Sequence, residues 1–497
     1  MDKQMDVNQE YTVDYEGIQA EIRISQEKKE YVPTYRISYP KIEQATRAVL
    51  DTIREEIVTQ MTLNTDEILN PENMEDIKKK FLKRAGDMLK KELPHLPEKD
   101  GQILVGILMQ ESLGLGPLEF LIKDQNLEEI VINSSKEPVW VYHRKFGWLK
   151  TTIVIGNETA IYNYSAQIGR RVGTQITNLN PLMDAYLTTG DRANATLFPI
   201  SSAGNTLTIR KFARTPWTIT DFIETNTISA DVAAFLWLAI QYEMNIMCTG
   251  GTASGKTSFL NVLTMFIPPT QRIISIEDTR EIQLPNFLHW VPMTTRPPNI
   301  EGRGEVTMLE LMINALRMRP DRIIVGEIRR SKEAEVLFEA INTGHSVYST
   351  FHANTSEETF KRLVNPPINI PSSLLTSLQL IAVMHRDRRK GVRRLLEVTE
   401  LIPGGRLEEV KIELNTIHKW IPSNDKIIEW SKSQRVINDI KLFSGMNDKE
   451  ITENLSEKKS ILLWMVKNKV KDINKVGRIV SDYYKDPESI LKEVKKG

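Results

Sequence analysis

Short apolar runs set between stretches of helical period dominate the middle of the chain, and they predict a parallel sheet covered on both faces. From about residue 228 to 400 the candidate strands are Asn245 to Thr249, Arg272 to Glu277, Arg322 to Val325 and Ser346 to Thr350. Upstream, between Tyr39-Pro40 and about Leu113, residues Ile42, Ala45, Val49, Ile53 and Ile57 recur three or four positions apart and draw one amphipathic stripe. Pro71-Glu72, Pro94 and Pro97 divide that region into about three helices. The texture changes at Gly114-Leu115-Gly116-Pro117. After it, Glu129 to Ile132, Val139 to Tyr142 and Thr206 to Ile209 read as strands of a mixed α/β module.

The pattern divides the chain into residues 1–30, a polar arm without sustained period and with at most one short strand; 31–113, helical; 114–213, mixed α/β; 214–228, a linker; 229–430, the alternating α/β core; and 431–497, a small helical appendage. Ala213-Arg214-Thr215-Pro216 reads as linker because proline removes a donor and restricts its predecessor. The appendage centres on Ile461 to Val466, and Asp486-Pro487-Glu488 would start its last helix with proline at the first helical position.

Composition narrows the class. A hydrophobic share of 40% with 26% charged residues is that of a globular chain, so disorder can only be local. Basic and acidic residues number 65 each, which gives no reason to expect a bulk polyanion such as duplex DNA as ligand. The first hundred residues are net acidic and the last sixty or so net basic, as solvated faces commonly are. The one cysteine, Cys248, rules out an intrachain disulfide framework and a Cys-rich zinc site, and reads as a small residue packed in its strand. Met1 to Asp6 has neither the basic start nor the apolar core of a signal peptide, and no run approaches the ~20 apolar residues that span a bilayer. A cytoplasmic location is expected, with any membrane contact peripheral or through a partner.

The chemistry concentrates in four places. Gly250, Gly251, Thr252, Ala253, Ser254, Gly255, Lys256 and Thr257 satisfy G-x-x-x-x-G-K-[ST], preceded by a strand and followed by Ser258 and a helical face of Phe259, Leu260, Val262, Leu263 and Phe266. In such a loop the backbone N–H groups and the helix N-terminus face phosphate, the lysine reaches the β- and γ-phosphates, and the Thr257 hydroxyl ligates Mg²⁺. The second strand ends in Glu277-Asp278, which puts carboxylates at the carboxyl edge of a parallel sheet, where ligands bind. The third, Arg322 to Val325, leads through Gly326 to Glu327, a carboxylate that would help bind Mg²⁺ or orient the attacking water. The fourth segment, Thr343 to Asn354, carries His345 and His352; too few ligands accompany them for zinc, and His352 would face the γ-phosphate through hydrogen bonds.

Taken in order and spacing, Gly250 to Thr257, Glu277-Asp278, Arg319-Pro320-Asp321 with Gly326-Glu327-Ile328-Arg329, and Thr343 to Asn354 resemble the Walker A, Asp box, Walker B and His box of the type II/type IV secretion ATPase superfamily. Gly114 to Leu118, Val141 to Gly147 and Leu207 to Phe212 look like its archaeal branch, and the tail around Trp464, ending Tyr483 to Pro487, looks most like the archaellum motor ATPase. The resemblance covers about residues 30 to 497. It implies an α/β fold, with a RecA-like P-loop ATPase domain between a helical plus mixed α/β N-terminal domain and a small helical C-terminal appendage. It further implies ATP and Mg²⁺ as cofactors, a homo-oligomer of six copies, and a polytopic membrane platform protein with other filament-machinery subunits as partners. Arg192 and Arg210 match the N-terminal arginines that complete such a site. Glu327 is the preferred catalytic carboxylate, Glu277 and Asp278 supporting metal or water. The four-cysteine zinc module of bacterial relatives cannot be present. Two other readings stay open: a RecA-like nucleic-acid-translocating ATPase, opposed by the neutral charge, and a nucleotide-gated binding protein.

Overall fold

The structure is a computed structural model and describes residues 8–27, 30–40, 42–60, 71–187, 190–212, 215–298, 302–406 and 409–496. The chain forms two compact units, one up to Arg214 and one from Thr215 onward.

In the N-terminal unit nine strands make one sheet: β1 (Asn8–Tyr15), β2 (Ile18–Ser25), β3 (Thr34–Ser38), β4 (Leu127–Ile132), β5 (Pro138–His143), β6 (Gly147–Val154), β7 (Leu182–Tyr186), β8 (Arg192–Thr196) and β9 (Thr206–Arg210). Their order is β1-β2-β3-β6-β5-β4-β9-β8-β7. Helices Gln44–Gln60, Pro71–Glu92 and Glu98–Ser112 share a core in which Ile53, Ile57, Phe81 and Leu108 meet Tyr15 and Ile18 of the first hairpin.

That hairpin corrects the reading of residues 1–30 as an arm. Val13, Tyr15, Ile18, Ala20, Ile22 and Ile24 are buried while their neighbours face out, a period of two hidden by a charged outer face. Glu16 and Gly17 turn it with φ of 49° and 83°, both positive as a two-residue hairpin whose twist matches the strands requires. The Tyr11 hydroxyl of the hairpin donates to the buried Asp124 carboxylate at 2.6 Å, and Tyr35 of β3 donates to the same oxygen at 2.8 Å. Residues 1–7 lie outside the described residues.

In the C-terminal unit the strands are β10 (Ile246–Gly250), β11 (Ile273–Glu277), β12 (Trp290–Thr294), β13 (Arg322–Val325), β14 (Ser346–Phe351), β15 (Leu380–Asp387), β16 (Val392–Arg406), β17 (Glu409–Ile421) and β18 (Lys426–Glu429). The order is β12-β11-β13-β14-β10-β15-β16-β17-β18, parallel from β12 through β15 and antiparallel beyond. Every residue of β10, β11, β13 and β14 is buried. Helices cover both faces: Ile246 and Cys248 enter one core and Met247 the other, which is why these strands read as unbroken apolar runs. The chain leaves β10 towards β11 on one side and later reaches β15 on the other. The end of β10 is therefore a topological switch point, the place where open α/β sheets bind ligands.

The stretch from 380 to 429, where the sequence pattern offered no strands, holds four. The C-terminal helices, Arg435–Ser444, Asp448–Lys467, Ile473–Lys485 and Pro487–Lys496, are also more than an appendage. Val436, Ile440, Leu462, Met465, Val480 and Tyr483 lie in one core with Trp237, Phe266 and Ile246. Trp237 stacks on Phe266 at 5.0 Å and donates to the Tyr484 hydroxyl at 2.8 Å, and that hydroxyl donates to the Phe266 carbonyl at 2.6 Å. The last helix begins at Pro487, as its missing N–H favours.

Lys458 is fully buried in this core. Its ammonium is hydrogen-bonded to Asn454 and lies over the rings of Tyr483 at 4.8 Å and Trp237 at 5.4 Å. Burial pushes it down to about 7, with nearby Glu457 opposing the shift. Because the folded state then sheds its proton before the unfolded chain does, stability should rise with pH from about 7 to the ordinary lysine value of about 10.4. Lys458→Met should flatten that slope, measured as urea-unfolding free energy from pH 6.5 to 10; an unchanged slope would show that Lys458 does not set it.

Candidate active site

The loop from Gly250 to Lys256 owes its shape to backbone only certain residues allow. Gly250, Ala253 and Gly255 take φ of 150°, 59° and 93°, and a Cβ on Gly250 would collide with the Met384 carbonyl. Gly255 caps helix Lys256–Thr264, so the N-terminus of that helix opens at the carboxyl edge of the sheet. Thr257 and Ser258 occupy its first turn. Ser254 is buried, and its hydroxyl has no hydrogen-bond partner.

Lys256 is 8% exposed and starts a chain of charges. Its Nζ donates to the Gly251 carbonyl at 3.2 Å and lies 3.4 Å from His352 Nε2, which lies 3.4 Å from Glu327 Oε1. Glu327 Oε2 accepts from Arg329 Nε and Nη2 at 2.9 and 2.6 Å, and Arg329 Nη1 donates to Asp278 Oδ2 at 2.7 Å. Thr295 donates to the other Asp278 oxygen at 3.2 Å. Burial lowers the pKa of Lys256, opposed by Glu327 and Glu281. Burial and then the Lys256 charge lower that of His352. A neutral imidazole can use Nε2 either to accept from Lys256 or to donate to Glu327, so one proton position decides which partner it joins.

Glu277 ends β11 but faces inward. It is 2% exposed, one oxygen accepts from the Glu281 and Ile282 amides at 2.9 and 3.0 Å, and the other is buried without a partner. Burial pushes its carboxyl up to about 7, against those two amides. Gly326 makes room for it, since a Cβ there would stand 3.3 Å from Glu277 Cγ. The Thr350 hydroxyl donates to the Gly326 carbonyl at 2.5 Å and ties the end of β13 to β14.

The structure thus gathers Lys256, His352, Glu327 and Asp278 into one network, with Glu277 beside it. His345 lies at the other end of β14, against Thr343 and the Ala340 carbonyl. Arg192 and Arg210 belong to the N-terminal unit, where they are Cα partners on β8 and β9. Such a like-charge pair is unfavourable unless each arginine is countered. Arg192 holds Asp184 through two hydrogen bonds of 2.8 and 2.5 Å, and Arg210 stands opposite Glu129. Arg329 was missed as a site residue, although its position two residues after Glu327 was the available signal. Among the described residues no cluster of three or more His, Cys, Asp or Glu forms a metal cage, and no helix is long and apolar enough to cross a membrane.

A buried parallel sheet, a glycine-rich loop at its switch point and a row of acidic groups across from the lysine define a P-loop protein. Residues 192–399 match the family model described as type II/IV secretion system protein. The chain is 35% identical over 394 residues to an uncharacterized protein of Methanocaldococcus jannaschii, covering 78% of this chain and 70% of that one. It is 30% identical over 304 residues to the type IV secretion system protein PtlH of Bordetella pertussis, covering 54% of this chain and 88% of PtlH. The crystal structure of the VirB11 ATPase from the Brucella suis type IV secretion system, in complex with sulphate, aligns over 57% of this chain and 91% of its own at 25% identity and a TM-score of 0.30. The chain belongs to the type II/IV secretion system protein family.

Glu277 sets a pH dependence of its own. Its folded pKa stands above the ordinary carboxylate value of about 4.3, so the folded state holds a proton the unfolded chain has lost, and stability should fall as pH rises from about 4.5 to about 7. Glu277→Gln should remove that fall and raise the thermal midpoint at pH 8. A lower midpoint at pH 8 would contradict the assignment.

Proposed function

We propose that this chain is a Mg²⁺-dependent ATPase that powers assembly of an archaeal type IV pilus-like filament such as the archaellum, working as a ring of identical copies on the cytoplasmic face of a membrane platform protein. The observation that carries the enzymatic part is the placement of Glu327 and His352 directly across from Lys256 at the mouth of the glycine-rich loop. The Methanocaldococcus relative supports the archaeal branch, and the relation to PtlH supports work in a secretion or filament machine.

In this reading the loop amides from Gly251 to Thr257, the helix N-terminus and Ser258 hold the phosphates of ATP, and Lys256 gives up its Gly251 carbonyl for the β- and γ-phosphates. Thr257 and Asp278 would hold Mg²⁺. Their fit is chemical: a hydroxyl and a carboxylate are the hard oxygen donors this ion takes alongside phosphate and water, and the unpartnered oxygen of Glu277 suits a water beside it. The ion, when bound, neutralises developing charge on the phosphate oxygens. Glu327 orients and deprotonates the attacking water, Arg329 fixes one of its oxygens, and His352 relays between Glu327 and the γ-phosphate. Arg192 and Arg210, which Asp184 and Glu129 counter within the N-terminal unit, are by the resemblance the arginines that complete such a site.

Glu327→Gln keeps the shape of the side chain and removes the charge. ATP affinity should stay within about threefold of the unmodified protein while single-turnover hydrolysis falls on the order of a hundredfold to ten-thousandfold. Retained hydrolysis would move the base to Glu277, and lost binding would make Glu327 a metal-site residue.

A further inference from the structure

Opposite the carboxylates, on the other flank of the glycine-rich loop, stands a further arginine, Arg393. Strand β15 pairs with β10 so that Met384 is the Cα partner of Gly250. The ladder between β15 and β16 slips at Val383/Met384, where Glu397 and then Leu395 face consecutive residues. A bulge of this kind twists its strand and re-aims side chains. Arg393, two residues before Leu395, turns onto the loop: its Nε donates to the Ala253 carbonyl at 3.2 Å, and its Cδ would stand 3.3 Å from a Cβ on Gly255. Among the described residues its two Nη atoms donate no hydrogen bond. The neighbouring Arg394 is committed to Asp425 through two bonds of 2.7 Å.

The surroundings favour an anion. Between the strands, Asp387 accepts from the amides of Arg389 and Lys390 at 2.9 and 3.1 Å and fixes a turn on which Arg388, Arg389 and Lys390 are exposed. In a chain with zero net charge this is a local concentration of cations at the same edge of the sheet as the loop. Ser254, next to Ala253, offers a buried hydroxyl without a partner.

Direction follows from the sheet. Lys256 points towards His352 and Glu327, at the ends of β14 and β13, whereas β15 and β16 lie across β10. With the β-phosphate in the loop and the γ-phosphate facing Glu327, the α-phosphate and nucleoside must leave on the β15–β16 side.

We propose that Arg393 is a nucleotide-contact residue whose Nη atoms take the α-phosphate of ATP and ADP alike, its guanidinium oriented by the Nε bond to the Ala253 carbonyl. This rests on the ATPase reading of the site. An arginine suits the role because its planar fork offers parallel donors to phosphate oxygens, which a lysine cannot.

The test is calorimetric titration of ADP and ATP into the full chain and its Arg393→Ala, Arg393→Lys and Lys256→Ala variants, with steady-state kinetics and nucleotide-free melting. Arg393→Ala should weaken ADP and ATP by the same factor, roughly 10- to 100-fold, as loss of a hydrogen bond between charged groups does. KM should rise by that factor with kcat within about twofold, and the melting midpoint should not move. Arg393→Lys should recover part of the affinity. If Arg393→Ala binds ADP normally while Lys256→Ala does not, the inference falls and the ATPase reading stands. Normal nucleotide binding by both variants sinks both. A lowered nucleotide-free midpoint in Arg393→Ala, or a loss confined to kcat, would make the residue a brace or a hydrolytic group and also overturn the inference.

Discussion

Strand β10 is buried along its whole length. Parallel ladders to β14 and β15 hold it on both edges, Ile246 and Cys248 are packed into one core and Met247 into the other, and its last residue lies against the Met384 carbonyl. The chain must therefore turn into helix Lys256–Thr264 within five residues, and it does so through Gly250, Ala253 and Gly255 at positive φ. Strand and helix together set where Lys256 starts from the helix. Lys256 meets the ends of β14 and β13, where His352 and Glu327 wait.

The charges at that meeting point stabilise one another in sequence. A buried ammonium, an imidazole whose pKa is lowered by burial and by the Lys256 charge, two carboxylates and a guanidinium follow one another so that no like charges adjoin. Glu277 is buried beside them and bonds the Glu281 and Ile282 amides instead, its carboxyl pushed up to about 7 by burial. The far end of the same helix is held by a different device: the aromatic stack of Trp237 and Phe266, closed by Tyr484 from the C-terminal helices. The helix that carries Lys256 is fixed at one end by loop geometry and at the other by Trp237 and by Tyr484, the latter 218 positions beyond Phe266.

These two devices also show what could be read without coordinates. The glycine-rich loop was legible because its backbone excludes most residue types, and strands such as Arg322–Val325 were legible because burial on both faces forces continuous apolar runs. Hairpin β1–β2 was not, since charged residues fill its outer face and only the alternate positions from Val13 to Ile24 carry the signal. Strands β16 and β17 were obscured in the same way, with Pro403, Gly404 and Gly405 breaking the pattern. The C-terminal helices read as a separate piece because their apolar face has its partner, Trp237, on the far side of the chain. Arg329 and Arg393 look in sequence like solvated cations; only the fold shows one between Glu327 and Asp278 and the other on the Ala253 carbonyl.

Under the proposed function, geometry at the end of β10 makes Lys256 the cation on which ATP turnover depends. The direct measurement is release of labelled phosphate from γ-labelled ATP, in Mg²⁺, by the full chain and by Lys256→Ala at matched concentration, with melting curves to show both are folded. Steady release by the first and none above background by the second is expected. Equal release from two folded proteins would contradict it.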